Sequence, residues 1–84
     1  MATVEERIKN VTARVLETDV ERIKPEHSFA YDLGAKSVQS IELVAAFEEE
    51  FGIEMDEDSA LAVTTVGEAV TFITQCCKDQ GISV

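Results

Sequence analysis

"DLGAKSVQSIELVAAFEEEFG", residues 32–52, passes from an irregular turn into a helical repeat at Ser37. Val38, Ile41, Val44, Phe47 and Phe51 then recur at steps of three, three, three and four, the spacing of one apolar stripe on a helix. Leu43 widens the stripe, and Gly52 ends it as a left-handed residue beyond a helix C-terminus would. The reading is a helix that begins at Ser37 or Val38 and turns this stripe toward a core. A serine at such a junction is a helix cap, a nucleophile or a point of attachment. The surrounding chain has to decide between them.

Upstream, Thr3 and Glu6 form a Thr-x-x-Glu capping box. Val4, Ile8, Val11 and Val15 follow at helical spacing, which predicts a first helix from Val4 to Leu16. Glu17–Lys36 holds Pro25 and many polar residues and lacks a sustained period. A connection of this length is uncommon in a compact domain and usually has a task of its own. Its apolar anchors Val20, Ile23, Phe29 and Leu33 predict that it packs across the helices. Downstream, "MDEDSAL" reads as one short turn capped by Asp56, and Thr65 with Glu68 makes a second capping box. Val66, Ala69, Val70, Ile73, Cys76 and Cys77 give the last stripe, ending before Gly81. With no strand pattern and no repeat, the expected fold is all-α. It is a small four-helix bundle of three main helices and one short one, with a long first loop, as one domain over residues 1–84.

Composition narrows the function. A chain of 84 residues buries only roughly 60–65% of its unfolded surface, which leaves little room for a deep catalytic cleft. The net charge of −10 argues against nucleic acid and against anionic membrane surfaces, both of which recruit lysine and arginine. The charge is concentrated: residues 29–60 carry nine acids against Lys36 alone, which is −8 of the total. The opening MATVEERIKN leads straight into a helical pattern, so no signal peptide is expected. No apolar run approaches the roughly 20 residues of a membrane span. Adjacent Cys76 and Cys77 make neither a disulfide framework nor a zinc motif. They read as a small core hydrophobe beside a half-exposed thiol. A reduced, cytoplasmic, freestanding monomer is expected.

Other candidates for chemistry are weak. His27, the sole histidine, lies in a polar loop, and sequence supplies no orienting group or oxyanion site for a Ser–His pair. Counted from Asp56, an EF-hand would need an oxygen ligand where Ala60 stands and glycine where Leu61 stands, so calcium is not indicated. Glu48, Glu49 and Glu50 oppose the helix dipole and one another, which favours a partner-facing role over a stabilising one.

The run from Asp32 to Asp58 resembles the acyl carrier protein family, whose signature is Asp-Ser-Leu after a Leu-Gly-[Ala/Gly] turn. "IKPEHSFAYDLGA" is similar to the family's first loop, and "TTVGEAVTFI" to the start of its last helix. The resemblance implies a carrier rather than an enzyme, with 4′-phosphopantetheine from coenzyme A joined to Ser37 by a phosphopantetheinyl transferase. Acyl intermediates of fatty acid, polyketide or specialised lipid synthesis would ride on the arm as thioesters. Glu42, Glu48 and Glu49 match family positions that face basic patches on partners such as acyl-ACP synthetases, ketosynthases and acyltransferases. Ile41 and Ala45 match its apolar contact positions.

The sequence also departs from the pattern. Lys36 stands where the family has aspartate, Val38 where it has leucine, and Gln39 where many members have an acid. In the family that aspartate helps the transferase organise its metal and dock, so Lys36 and Val38 join the candidate partner surface. Lys36 further suggests a specialised carrier loaded by a dedicated transferase. The rival readings are a carrier-fold interaction module that is never loaded, a peptidyl or D-alanyl carrier, and a small hydrolase using Ser37.

Overall fold

The computed structural model describes residues 2–84 and contains four α-helices. They are α1 (Val4–Leu16), α2 (Ser37–Phe51), α3 (Glu57–Leu61) and α4 (Val66–Asp79). Among the described residues there is no strand, only an isolated antiparallel bridge between Ser28 and Thr65. α1 packs against both α2 and α4, and α3 lies against α2.

Both capping boxes form as their sequences predict. The Thr3 side chain accepts from the Glu6 N–H at 3.1 Å while Glu6 Oε1 accepts from the Thr3 N–H. Thr65 and Glu68 repeat the exchange at the start of α4. Each box satisfies N–H groups that a helix start leaves without intrahelical partners. Gly52 closes α2 at φ 67°, where a side chain would be strained.

The core gathers Ile8 and Val11 of α1, Leu43, Phe47 and Phe51 of α2, and Val66, Ala69, Ile73 and Cys77 of α4. Ile23, Phe29 and Ala35 from the long connection and Ile53 after α2 complete it, with the Phe29 and Phe47 rings tilted together at 6.5 Å. Burying each of the valine, leucine, isoleucine and phenylalanine side chains contributes about 1.5–3 kcal/mol. Val20 is exposed instead: it opens a 3-10 turn, Val20–Arg22, for which the sequence has no periodic signal. Thr12 is fully buried, and its hydroxyl donates to the Ile8 carbonyl at 2.7 Å, so the polar atom is satisfied within its own helix.

The expected stripe of α2 needs correction. Val38 is 69% exposed and Ile41 54%, whereas Leu43, Phe47 and Phe51 are buried. Successive helical residues advance by about 100°. Val38, Ile41 and Ala45 therefore share one face, and Leu43, Phe47 and Phe51 the opposite one. α2 carries two apolar stripes back to back, and only one is core.

The long connection is pinned to α4. The Phe29 N–H donates to the Thr64 carbonyl, Val66 to His27 and Gly67 to Pro25, at 3.0, 3.0 and 2.8 Å. A Cβ on Gly67 would lie 3.1 Å from the Pro25 oxygen, so glycine permits the close approach.

Candidate functional site

The approach to α2 is built from Ser28 to Lys36. The Ser28 carbonyl accepts from the N–H groups of Asp32 and Leu33, and Asp32 Oδ2 accepts from the Ser28 N–H at 2.7 Å. Gly34, at φ 73°, then reverses the chain. Ala35 is buried, with its N–H donating to the Phe29 carbonyl at 2.8 Å. This anchored turn delivers the start of α2 to the surface.

Lys36, rather than Ser37, occupies the N-cap position. A lysine side chain has no acceptor, so only the reverse arm of a capping box exists: Gln39 Oε1 accepts from the Lys36 N–H at 2.9 Å. Ser37 is the first helical residue and is exposed, so the helix-cap reading of its hydroxyl falls away. The first intrahelical bond runs from the Ser40 N–H to the Lys36 carbonyl. Among the described residues, no acceptor meets the N–H groups of Ser37, Val38 and Gln39, and no acid lies in the first turn. The site therefore offers a free hydroxyl beside three unused donors at the positive end of a helix dipole. That suits an anionic phosphodiester joined to Ser37.

Among the described residues, no base is hydrogen-bonded to the Ser37 hydroxyl. His27 Nδ1 accepts from the Lys24 N–H at 3.2 Å, and among the described residues no hydrogen bond links it to Ser37. Cys77 is buried and Cys76 half-buried, and burial pushes both thiols above their ordinary range. No group of metal-ligating side chains forms among the described residues.

An apolar cavity of about 60 Å³ lies between α2, α3 and α4, with Ser40, one turn on from Ser37, among its lining residues. Ser40, Val44 and Phe47 of α2, Leu61 of α3, and Phe72 and Ile73 of α4 contribute to its walls. Ser37, Ser40 and Val44 form one ridge of the helix, so Ser37 lies on the side of α2 that lines the cavity. The volume accommodates only a few water-sized groups, and an acyl chain longer than that requires the walls to move.

The acids of α2 divide into two groups. Glu48 accepts from the Met55 N–H at 2.8 Å, and Glu50 pairs with Arg7 at the same distance. Glu42 and Glu49 stand exposed on the face that carries Val38, Ile41 and Ala45. Sequence reasoning missed the engagement of Glu48 and Glu50, because their partners lie seven and forty-three residues away.

Comparison with known proteins bears on the same residues. Residues 6–73 match the family model described as a phosphopantetheine attachment site. An acyl carrier protein from Caulobacter vibrioides is 45% identical over 75 residues, covering 89% of this chain and 96% of the relative. Acyl carrier protein AcpP of Rhizobium meliloti is 47% identical over 73 residues, covering 87% and 94%. A solved structure of a Mycobacterium tuberculosis protein assigned as an acyl carrier protein superposes with TM-score 0.81 at 30% identity, covering 87% of this chain and 97% of that one.

Proposed function

The chain belongs to the acyl carrier protein family and carries acyl groups on covalently attached 4′-phosphopantetheine, and we propose that Ser37 is the residue bearing that arm. The observation that carries this reading is the exposed Ser37 hydroxyl at the start of a helix, where among the described residues neither that hydroxyl nor the first N–H groups have a hydrogen-bond partner. When bound, the group supplies a terminal thiol on which acyl groups are held as thioesters.

The protein's own residues supply position and shelter. Gly34 and the buried Ala35 hold the turn that presents Ser37. The N–H groups of Ser37, Val38 and Gln39 favour negative charge beside the hydroxyl. The cavity between α2, α3 and α4 gives an acyl chain apolar cover. Ser37 is on this reading the substrate of a phosphopantetheinyl transferase that uses coenzyme A, and the chain catalyses nothing itself. Residues 1–84 act as one carrier domain, monomeric and cytoplasmic; no helix among the described residues is long and apolar enough to cross a membrane.

Acyl carrier proteins work with fatty acid synthesis enzymes and a transferase. Here the docking surface comprises Val38, Ile41 and Ala45 with Glu42 and Glu49 beside them. Glu48 borders it, and Lys36 marks its Ser37 end. Acyl-ACP synthetases, ketosynthases or acyltransferases with basic patches complement this face. Lys36 directs loading toward a transferase that tolerates a cation beside the acceptor serine.

Intact-protein mass spectrometry after incubation with coenzyme A and a broad-specificity transferase tests the assignment. A gain of one phosphopantetheine mass, absent from Ser37→Ala, is expected. An equal gain in the variant would move the arm elsewhere. No gain with several transferases on folded protein would favour an unloaded interaction module.

A further inference from the structure

Lys36 is the one base among residues 29–60, against nine acids, yet none of the ion pairs among the described residues involves it. Its helical neighbours three and four residues on are Gln39 and Ser40, neither able to neutralise it. Gln39 Oε1 is already held by the Lys36 N–H, and Asp32 Oδ2, four residues back, by the Ser28 N–H. A cation at a helix start opposes the dipole, and a lysine N-cap leaves the first turn uncapped. Charge of the wrong sign thus stands free, one residue from the hydroxyl to which an anion is to be joined.

We propose that the Lys36 ammonium pairs with the phosphodiester on Ser37, so that loading supplies the anion which the start of α2 lacks. The inference rests on Ser37 being the attachment residue. A phosphodiester keeps one negative charge throughout the working pH range, and the flexible four-carbon stem of lysine lets the ammonium reach an oxygen on the adjacent residue. The first-turn N–H groups supply further donors. The loaded protein is then more stable than the unloaded one, and Lys36 is a positioning residue for the first atoms of the arm.

Wild type, Lys36→Gln and Lys36→Arg are loaded to completion with coenzyme A and excess transferase, with the loaded residue verified by peptide mass spectrometry. Thermal midpoints of loaded and unloaded forms are compared at about 0.05 M and about 0.5 M salt, and ³¹P spectra are recorded. Loading is expected to raise the wild-type midpoint by roughly 2–5 °C at low salt. At least half of that rise disappears in Lys36→Gln, is retained in Lys36→Arg, and fades at high salt. The phosphodiester resonance shifts in Lys36→Gln. An equal loading shift in wild type and Lys36→Gln overturns the ion pair while leaving Ser37 in place, as does a wild-type loading shift indifferent to salt, which needs no loaded variant. Absence of the mass gain at Ser37 overturns both readings.

Discussion

α2 and α4 begin in corresponding ways and spend those beginnings differently. At the N-cap, α4 has Thr65 and α2 has Lys36. The first helical residue is Val66, 0% exposed, in one, and the exposed Ser37 in the other. At the second, Gly67 lies against Pro25 while Val38 stands 69% exposed. At the third, the Glu68 carboxylate accepts from the Thr64 hydroxyl at 2.7 Å and from two N–H groups, whereas Gln39 accepts from one. The first two helical positions are packed in α4 and exposed in α2, and the third makes more hydrogen bonds in α4 than in α2. A helix start can be satisfied from within, as at α1, α3 and α4, or left open, as at α2.

Substitutions at the first helical position should show the largest contrast. Val66→Ala is expected to cost about 2–3 kcal/mol from lost burial and the cavity left behind. Ser37→Ala should stay within about 0.5 kcal/mol in the unloaded protein. Urea unfolding of the two variants measures both, and equal losses would break the contrast.

The N-caps come next. Thr65→Ala should lose about 1 kcal/mol, while Lys36→Thr should gain roughly 0.5–1 kcal/mol in the unloaded protein. A loss in Lys36→Thr would mean that the lysine already has a stabilising partner.

Acid titration gives the smallest effect. The Glu68 carboxyl lies below its ordinary value of 4.5, chiefly because the Thr64 hydroxyl donates to it, with the N–H groups of Thr64 and Thr65 adding to this. A carboxylate with a depressed folded-state pKa stabilises above its unfolded value and loses that contribution as pH falls through the folded one. Wild type should therefore weaken as pH drops below about 4.5, and Glu68→Gln should weaken less. Thermal midpoints between pH 5 and pH 3 read the difference.

The contrast also marks where sequence was legible. Local signals sufficed for α1 and α4, since a Thr-x-x-Glu box and a single apolar stripe lie within one helix. α2 misled because Val38, Ile41, Val44, Phe47 and Phe51 fit one helical template, although the first two belong to the opposite face. Periodicity counts apolar residues on a helix without saying which stripe has neighbours. Ser37 and the turn before it could be read because glycine, serine and the change of period sit side by side. The engagement of Glu48 and Glu50, the 3-10 turn at Val20 and the pinning of the long connection to α4 could not. Each depends on partners or backbone geometry that no short window contains.

Arg7 has a consequence for how the bundle moves. Its Nε donates to Glu50 Oε2 and its Nη2 to the Glu50 carbonyl, both at 2.8 Å, and its guanidinium lies 4.2 Å from the centre of the Phe51 ring. These three contacts tie the far end of α2 to the side chain of Arg7 in α1, whereas the end bearing Ser37 is held through the backbone of the turn before it. Residues 50–51 of α2 are thereby tied to α1, while Ser40, Val44 and Phe47 carry the helix's share of the cavity wall. Movement of α2 that widens the cavity is expected to be smallest at this tied end, so amide exchange along α2 should slow from Ser40 toward Phe51. Arg7→Met would remove that tie and is expected to flatten the gradient.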